Sequence, residues 1–184
     1  MNIQPALIRD CIDRKRKAEY EMYKLTYSYL MSICIRYTGN VDKAKEVLNL
    51  GFLKVLNNLQ KYRTEIPFKV WIRKIMVNTL IDEFRKDKTH NYSIQYVEEY
   101  IETSDFSDLN EAISRYNLAQ IHGFINNLPF ASKQVFNLYV VDGFNHREIA
   151  EMLKISEGTS KWHLNFARTK LKEQLIMTSI SGPL

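Results

Sequence analysis

One helix near the C-terminus carries residue types that bind nucleic acid. After Ser156 the chain reads EGTSKWHLNFARTKLKEQL, and at about 100° per residue the aromatic and amide side chains fall on one side. Asn can bond adenine edges, aromatic rings can contact thymine methyl groups, and cations suit phosphates. That outer side carries Trp162, Asn165, Phe166 and Thr169, with Lys161, His163, Arg168, Lys170 and Lys172 on the flanks and at the distal end. The alternative without nucleic acid is that the Trp162 and Phe166 rings pack against another domain of the chain.

The residues around this helix predict how it is held. Asn145 and Glu148 have the spacing of a capping box that begins a preceding helix, and Ser156 can cap the next one. Ile155 is expected to be a buried turn residue. The second helix should bury one apolar stripe: Ser160, Leu164, Ala167, Leu171 and Leu175. Two short helices in this order predict a helix-turn-helix, whose second helix enters the DNA major groove.

Charge is unevenly distributed along the 184 residues. Residues 1–90 hold 18 Lys or Arg and 10 Asp or Glu, residues 91–118 hold 1 and 6, and residues 119–184 hold 7 and 5. The total of +5 therefore combines a basic front, an acidic middle and a mildly basic rear. This pattern indicates two modules and a separate connector.

Metal, redox and membrane signals are weak. Cys11 and Cys34 lie in apolar helical patterns without metal-ligand spacing, so we expect reduced core thiols. The four histidines are scattered, and we expect no metal and no cofactor. The chain has neither an apolar run of membrane-spanning length nor the apolar core of a signal peptide. We therefore expect a cytoplasmic protein with no membrane partner.

The first ninety residues predict a helical bundle. One or two helices are expected between Pro5 and Arg36, with Leu25, Tyr29, Ile33 and Tyr37 at helical spacing. The next helix should run over 41–59 and the third from Pro67 to about Lys86. The apolar side of the second is Ala44, Val47, Leu48, Phe52, Val55, Leu56 and Leu59, and the stripe of the third is Phe68, Trp71, Ile72, Ile75 and Thr79.

The rest of the chain completes an all-α prediction. Residues 91–111 are acidic and polar without periodicity, which predicts a flexible linker. A helix is expected from near Leu109 or Ala112 to about Asn127, and another from Pro129 to Asp142 and Gly143. The predicted organisation is a helical domain over 1–90, the linker over 91–111 and a helix-turn-helix domain over 112–178.

Three segments together resemble a known family. They are RYTGNVDKAKEVLNLGFLKVLNNLQKY, PFKVWIRKIMVNTLIDEFRK and the stretch from Leu128 to Leu175. In this order, with an acidic connector between, they resemble extracytoplasmic-function sigma factors of the bacterial sigma-70 family. The resemblance implies a front domain similar to sigma domain 2, which binds the polymerase clamp helices and helps open the −10 element. It also implies a rear domain similar to sigma domain 4, which binds the −35 duplex and touches the polymerase flap.

The resemblance also assigns roles to residues. Tyr62 and Asn78 match positions that contact the single-stranded −10 element and its flipped base, which suits a stacking ring and a bonding amide. The alternatives without a DNA contact are a loop ring half packed on the domain for Tyr62 and a solvated helix residue for Asn78. Phosphate contacts are expected from Lys61, Arg63, Arg73 and Lys74, although a solvated basic face would look the same. The −35 contacts are expected from Lys161, Trp162, Asn165, Phe166, Arg168 and Thr169.

The second helix departs from the family pattern. Lys43 and Lys45 replace two acids, and Asn49 and Leu50 replace Gln and Glu, on the face that meets the polymerase clamp helices. Reversed charge there should cost affinity or require a compensating partner. The polymerase-binding residues implied by the resemblance are Glu46, Asn49, Leu50 and Leu53. An exposed Leu50 would create an apolar patch suited to a protein partner.

These observations favour a promoter-specificity subunit of RNA polymerase without an active site of its own. Its expected partners are core RNA polymerase, promoter DNA as duplex and as single strand, and an anti-sigma factor or other docking protein. One alternative is a sigma-like adaptor docked by another DNA-targeting protein, with weakened promoter reading of its own. A stand-alone helix-turn-helix regulator would leave the first ninety residues without a purpose, and a nuclease would need clustered carboxylates for metal ions.

Overall fold

The computed structural model describes residues 3–91 and 118–181, with side chains over 3–86 and 120–178. The described residues form helices and turns and contain no β-strand. The chain divides into two compact units, residues 1–92 and residues 93–184. The all-α prediction is confirmed. The predicted linker over 91–111 and the helix start near Leu109 or Ala112 lie outside the described residues.

The first unit begins with two helices, α1 (Pro5–Ile12) and α2 (Arg16–Thr38). Gly39 ends α2 in a left-handed conformation with φ 66°, and its N–H donates to the Ile35 carbonyl. Of the residues predicted at helical spacing in this segment, Ile33 and Tyr37 are buried and Tyr29 is half-buried, whereas Leu25 is 50% exposed. Thr26 is buried instead. Burial of its hydroxyl is tolerated because the hydroxyl donates a hydrogen bond to the Met22 carbonyl at 2.8 Å.

Helix α3 (Val41–Asn58) packs on α2 and α4. The Asn40 side chain caps it by accepting from the N–H groups of Asp42 and Lys43. Its predicted apolar side is confirmed: Leu56 is half-buried, and the other residues of that side are buried, namely Ala44, Val47, Leu48, Phe52, Val55 and Leu59. A short 3₁₀ turn (Leu59–Lys61) follows.

Helix α4 (Phe68–Asn91) completes the first unit. Of its predicted stripe, Trp71 and Ile75 are half-buried, and the remaining residues, Phe68, Ile72 and Thr79, are buried. The core also takes in Met76, Val77, Leu80 and Ile81.

The two cysteines of the first unit are buried free thiols, as predicted. Burial, then the nearby acid Glu19, raises the pKa of Cys11 to about 11. Burial alone raises the pKa of Cys34 to about 12. Both therefore stay protonated and unreactive at neutral pH.

The second unit comprises α5 (Leu118–Asn126), α6 (Phe130–Phe136), α7 (His146–Leu153) and α8 (Glu157–Ser181). A π-helical turn (Asn137–Val141) continues α6. Gly143 follows with φ +77°, the left-handed conformation predicted for it. Helix α8 packs on α6 and α7. The core between them contains Val135, Leu138, Ile149, Leu164, Ala167, Leu171 and Leu175.

Gly51 of α3 lies directly against the Met76 side chain of α4. A Cβ added there would lie 2.5 Å from both Sδ and Cε of Met76, which is fully buried and cannot swing into solvent. We expect Gly51→Val to lower the free energy of unfolding by about 1–3 kcal/mol through overpacking. Chemical denaturation measures the loss. The matched control is Gly123→Ala in α5, where no atom lies within 4 Å of an added Cβ. Equal stability of Gly51→Val and the parent would contradict the close approach.

Candidate nucleic-acid interface

The predicted helix-turn-helix is formed by α7 and α8. The Asn145 side chain accepts from the Glu148 N–H at 2.9 Å, and the Glu148 carboxylate accepts from the Asn145 N–H at 2.8 Å. The turn passes through Lys154, which is left-handed with φ 56°, and half-buried Ile155. The Ser156 hydroxyl then accepts from the Thr159 N–H at 2.9 Å and caps α8. The predicted caps are therefore confirmed.

Helix α8 separates a buried side from an outer side. All five residues of the predicted inner stripe are buried: Ser160, Leu164, Ala167, Leu171 and Leu175. The four residues predicted to face outward are half-buried: Trp162, Asn165, Phe166 and Thr169. The rotation of the helix is thus the one that periodicity predicts.

The outer side of α8 is an aromatic platform edged by cations. The Trp162 and Phe166 rings stack at 5.2 Å with an interplanar angle of 23°. Lys170 Nζ lies 5.9 Å from the Phe166 ring centroid and 2.8 Å from a Glu173 oxygen. Lys161 is exposed and Arg168 is half-buried. Apolar surface, an amide and cations within one helical face could bind both base edges and phosphates.

The prediction that His163 lies on a solvated flank is wrong. His163 is buried, and its Nδ1 lies 3.0 Å from the Ser132 hydroxyl on α6. It lies about 60° around the helix from Ser160, at the edge of the buried stripe, and the Ser132 hydroxyl gives its ring nitrogen a hydrogen-bond partner there. Its ring also meets Trp162 edge-on, with centroids 4.9 Å apart.

Tyr139 links the recognition helix to its support, a role that the sequence did not reveal. Its ring stacks on His146 with centroids 4.6 Å apart, and His146 Nδ1 lies 2.9 Å from the Ser160 hydroxyl. The Arg168 guanidinium carbon lies 5.9 Å from the Tyr139 centroid. Tyr139 belongs to the π-helical turn, which breaks the helical spacing that would have placed it.

The first unit presents a basic loop before α4. Lys61 and Arg63 are exposed, whereas Tyr62 is half-buried against Phe68 and Trp71, both at 5.2 Å between centroids. The Tyr62 hydroxyl donates to the Ile66 carbonyl at 2.9 Å. The Tyr62 ring is therefore half packed on the first unit, and its role on DNA stays a prediction.

Asn78 lies on an exposed stripe of α4. Val70, Lys74 and Asn78 are exposed and follow one another at four-residue spacing. Half-buried Arg73 lies about 140° around the helix from Asn78, because five residues separate them. Lys74 and Asn78 could therefore contact the same nucleic-acid strand, whereas Arg73 faces a different direction.

The outer side of α3 combines exposed leucines with polar and charged side chains. Glu46 and Asn49 are exposed, and so are Leu50, at 45%, and Leu53, at 53%. Asn49 accepts from the Tyr23 hydroxyl at 3.1 Å. The unusual lysines pair with acids one turn away, Lys43 with Glu46 at 3.4 Å and Lys45 with Asp42 at 3.3 Å.

Neither metal sites nor membrane spans occur in the part of the chain that the structure describes. No group of three His, Cys, Asp or Glu side chains there could hold a metal ion. No described helix combines the length and the apolar character that crossing a bilayer requires.

Comparison with known proteins identifies the family. Residues 22–90 match the model of sigma-70 region 2, and residues 118–171 match that of sigma-70 region 4. The ECF RNA polymerase sigma factor SigW of Bacillus subtilis (strain 168) is 27% identical over 154 residues, covering 79% of this chain and 82% of SigW. The sigma factor SigV of the same organism is 26% identical over 176 residues, covering 96% and 95%. The chain is an extracytoplasmic-function sigma factor of the sigma-70 family.

This sigma factor also shares its fold with a solved relative. The sigma factor RpoE of Bartonella quintana, in its co-crystal structure with the anti-sigma factor NepR, is 18% identical with a TM-score of 0.51. The likeness covers 86% of this chain and 96% of RpoE. The two family regions coincide with α2–α4 and with α5–α8, and they favour an RNA polymerase sigma factor over the adaptor considered from the sequence.

We expect His146 to make the stability of the second unit depend on pH. Burial, then the positive charges of Lys161 and Arg168, lower the pKa of His146. The unfolded chain therefore takes up a proton that the folded chain resists. The free energy of unfolding should be at its full value above about pH 6.5 and fall as pH drops below it. Chemical denaturation at a series of pH values, followed by Trp162 fluorescence, measures this loss. Every protein in the series carries Trp71→Phe, so that Trp162 is the only tryptophan that reports. His146→Asn should remove the pH slope that His146 contributes, and equal slopes in both proteins would contradict the assignment.

Proposed function

We propose that this sigma factor directs transcription initiation by reading the −35 element with α8 and capturing the −10 element with the α4 face and its preceding loop. The observation that carries the proposal is the outer side of α8, where stacked rings, an amide and cations share one helical face. Half-buried rings at the outer face of a recognition helix have apolar surface to gain by meeting thymine methyl groups.

In this proposal the second unit binds duplex DNA. Asn165 bonds a base edge, Trp162 and Phe166 make apolar contacts, and Lys161 and Arg168 meet phosphates. Thr169, one turn beyond Asn165, extends the same face toward the backbone of the DNA. The phosphate contacts give affinity and register, and the base contacts give sequence preference.

The first unit then acts on melted DNA. Asn78 bonds the edge of an unpaired base, and Lys74 on the same stripe meets a phosphate of that strand. Lys61 and Arg63 extend the basic surface along the loop, and Arg73 serves a more distant phosphate from another side of α4. Capture of an unpaired base lowers the cost of melting, so strand separation follows from binding alone.

We propose that α3 docks on the clamp helices of core RNA polymerase through Glu46, Asn49, Leu50 and Leu53. Two lysines on this helix are neutralised by acids one turn away, so the exposed leucines supply much of the contact. The polymerase forms the phosphodiester bonds, and the sigma factor has no active site. It works in the cytoplasm, where polymerase and promoters are.

The proposed boundaries are a polymerase-binding and −10-binding domain over 1–90, an acidic connector over 91–111 and a −35-binding domain over 112–178 that also touches the flap. An anti-sigma factor is a further proposed partner, since the relative RpoE was solved in complex with NepR. Transcription of a genomic library by core polymerase, with and without this protein, followed by mapping of start sites, tests the function and supplies the promoter.

On that promoter, we expect Asn165→Ala to weaken −35 duplex binding by about 1–3 kcal/mol, the value of a base-edge contact. Lys161→Ala should weaken binding similarly on all sequences and reduce the salt dependence by about one phosphate contact. Fluorescence anisotropy over a salt series measures both. Lys17→Ala, an exposed residue of α2, is the control for net charge. Unchanged binding in both test variants would contradict this orientation of α8.

For the −10 element, we expect Asn78→Ala to reduce open-complex formation while −35 duplex binding stays at the parental value. The reason is that the amide meets its base only after melting. Permanganate reactivity of unpaired thymines measures opening, and a mobility shift measures duplex binding. Asn127→Ala, another exposed amide, is the matched control. Equal losses in the two assays would argue against a role in strand capture.

A further inference from the structure

The loop between the 3₁₀ turn and α4 is closed by one side chain. The Tyr62 hydroxyl donates to the Ile66 carbonyl at 2.9 Å, and the Ile66 N–H donates to the Arg63 carbonyl at 3.2 Å. The four residues between Tyr62 and Pro67 are all exposed. Two hydrogen bonds therefore span this solvent-facing loop.

The Tyr62 ring is anchored to α4. It meets buried Phe68 edge-on, at 5.2 Å and 90°, and lies against half-buried Trp71 at 5.2 Å and 53°. Phe68 and Trp71 also contact each other, with centroids 5.7 Å apart. The ring thus belongs to a three-ring cluster, and its hydroxyl reaches from that cluster to the far end of the loop.

We propose that Tyr62 is a positioning residue whose hydroxyl holds the Arg63–Ile66 loop in one shape for strand capture, instead of a platform on which a base stacks. The inference rests on the proposed function and deepens it. The ring is half-buried against two other rings, and its hydroxyl already has a hydrogen-bond partner in the loop. The held loop presents the Arg63 guanidinium and the Ile66 side chain, which is 45% exposed, to an unpaired base and its phosphate.

The hydroxyl can be removed without disturbing the ring. Tyr62→Phe keeps the contacts with Phe68 and Trp71 and deletes only the bond to the Ile66 carbonyl. One hydrogen bond of ordinary strength corresponds to about a fivefold change in an equilibrium. Tyr20→Phe is the matched control, because it removes the hydroxyl of an exposed ring on α2.

The first test needs no promoter. Hydrogen exchange of the full-length protein should show the Ile66 amide, which donates to the Arg63 carbonyl, exchanging about fivefold faster in Tyr62→Phe than in the parent. Tyr20→Phe should leave this amide unchanged. Unaltered exchange in Tyr62→Phe would show that the hydroxyl does not hold the loop, and the inference would be overturned whatever the protein does on DNA.

The second test separates positioning from stacking. With core polymerase on the mapped promoter, Tyr62→Phe should lower open-complex formation about fivefold while −35 binding stays unchanged. Parental opening by Tyr62→Phe, with a loss only in Tyr62→Ala, would identify a stacking ring and overturn the inference. Failure of the proposed function looks different, because the unsubstituted protein would then open no promoter. The inference is overturned in that case too, since the loop would capture no strand.

Discussion

Burial of one stripe of α8 is the constraint on which the rest of the second unit depends. Ser160, Leu164 and Ala167 are buried, α8 packs on α6 and α7, and this packing fixes the rotation of the recognition helix. Each buried leucine stabilises the unit by roughly 1.5–3 kcal/mol, so a rotation that exposed them would be disfavoured. Trp162 and Phe166 then face outward because the opposite side is committed to the core.

In the first unit, a close contact between two helices likewise decides which side of a helix is buried. Gly51 lets α3 approach Met76 of α4 without a side chain between them, which brings the two helices together over a buried core. With that side of α4 occupied, the stripe that contains Lys74 and Asn78 remains in solvent. In both units, the exposed face of a helix is the one that remains after packing has buried the other side.

Electrostatics modifies these faces without shaping the fold. The lysines that distinguish α3 from its family pattern are matched within the helix by Asp42 and Glu46. Such exposed pairs contribute little to stability, but they change what a partner meets. The surface offered is less acidic and relatively more apolar, through Leu50 and Leu53, than the family pattern implies.

The sequence by itself determined the helices, the N-terminal caps of α7 and α8 and the faces of α3 and α8. Capping boxes and helical periodicity are local, so Asn145 with Glu148, and Leu164 with Leu171, could be placed from spacing alone. Only the tertiary structure decided that Thr26 replaces Leu25 in the core, that His163 turns inward to Ser132, and that Tyr139 stacks on His146. It also decided that Tyr62 packs on Trp71 and that its hydroxyl donates to the Ile66 carbonyl. The core place of Thr26 depends on which neighbouring helix covers each side of α2, and the other contacts join residues from different elements. No spacing in the sequence encodes those distances.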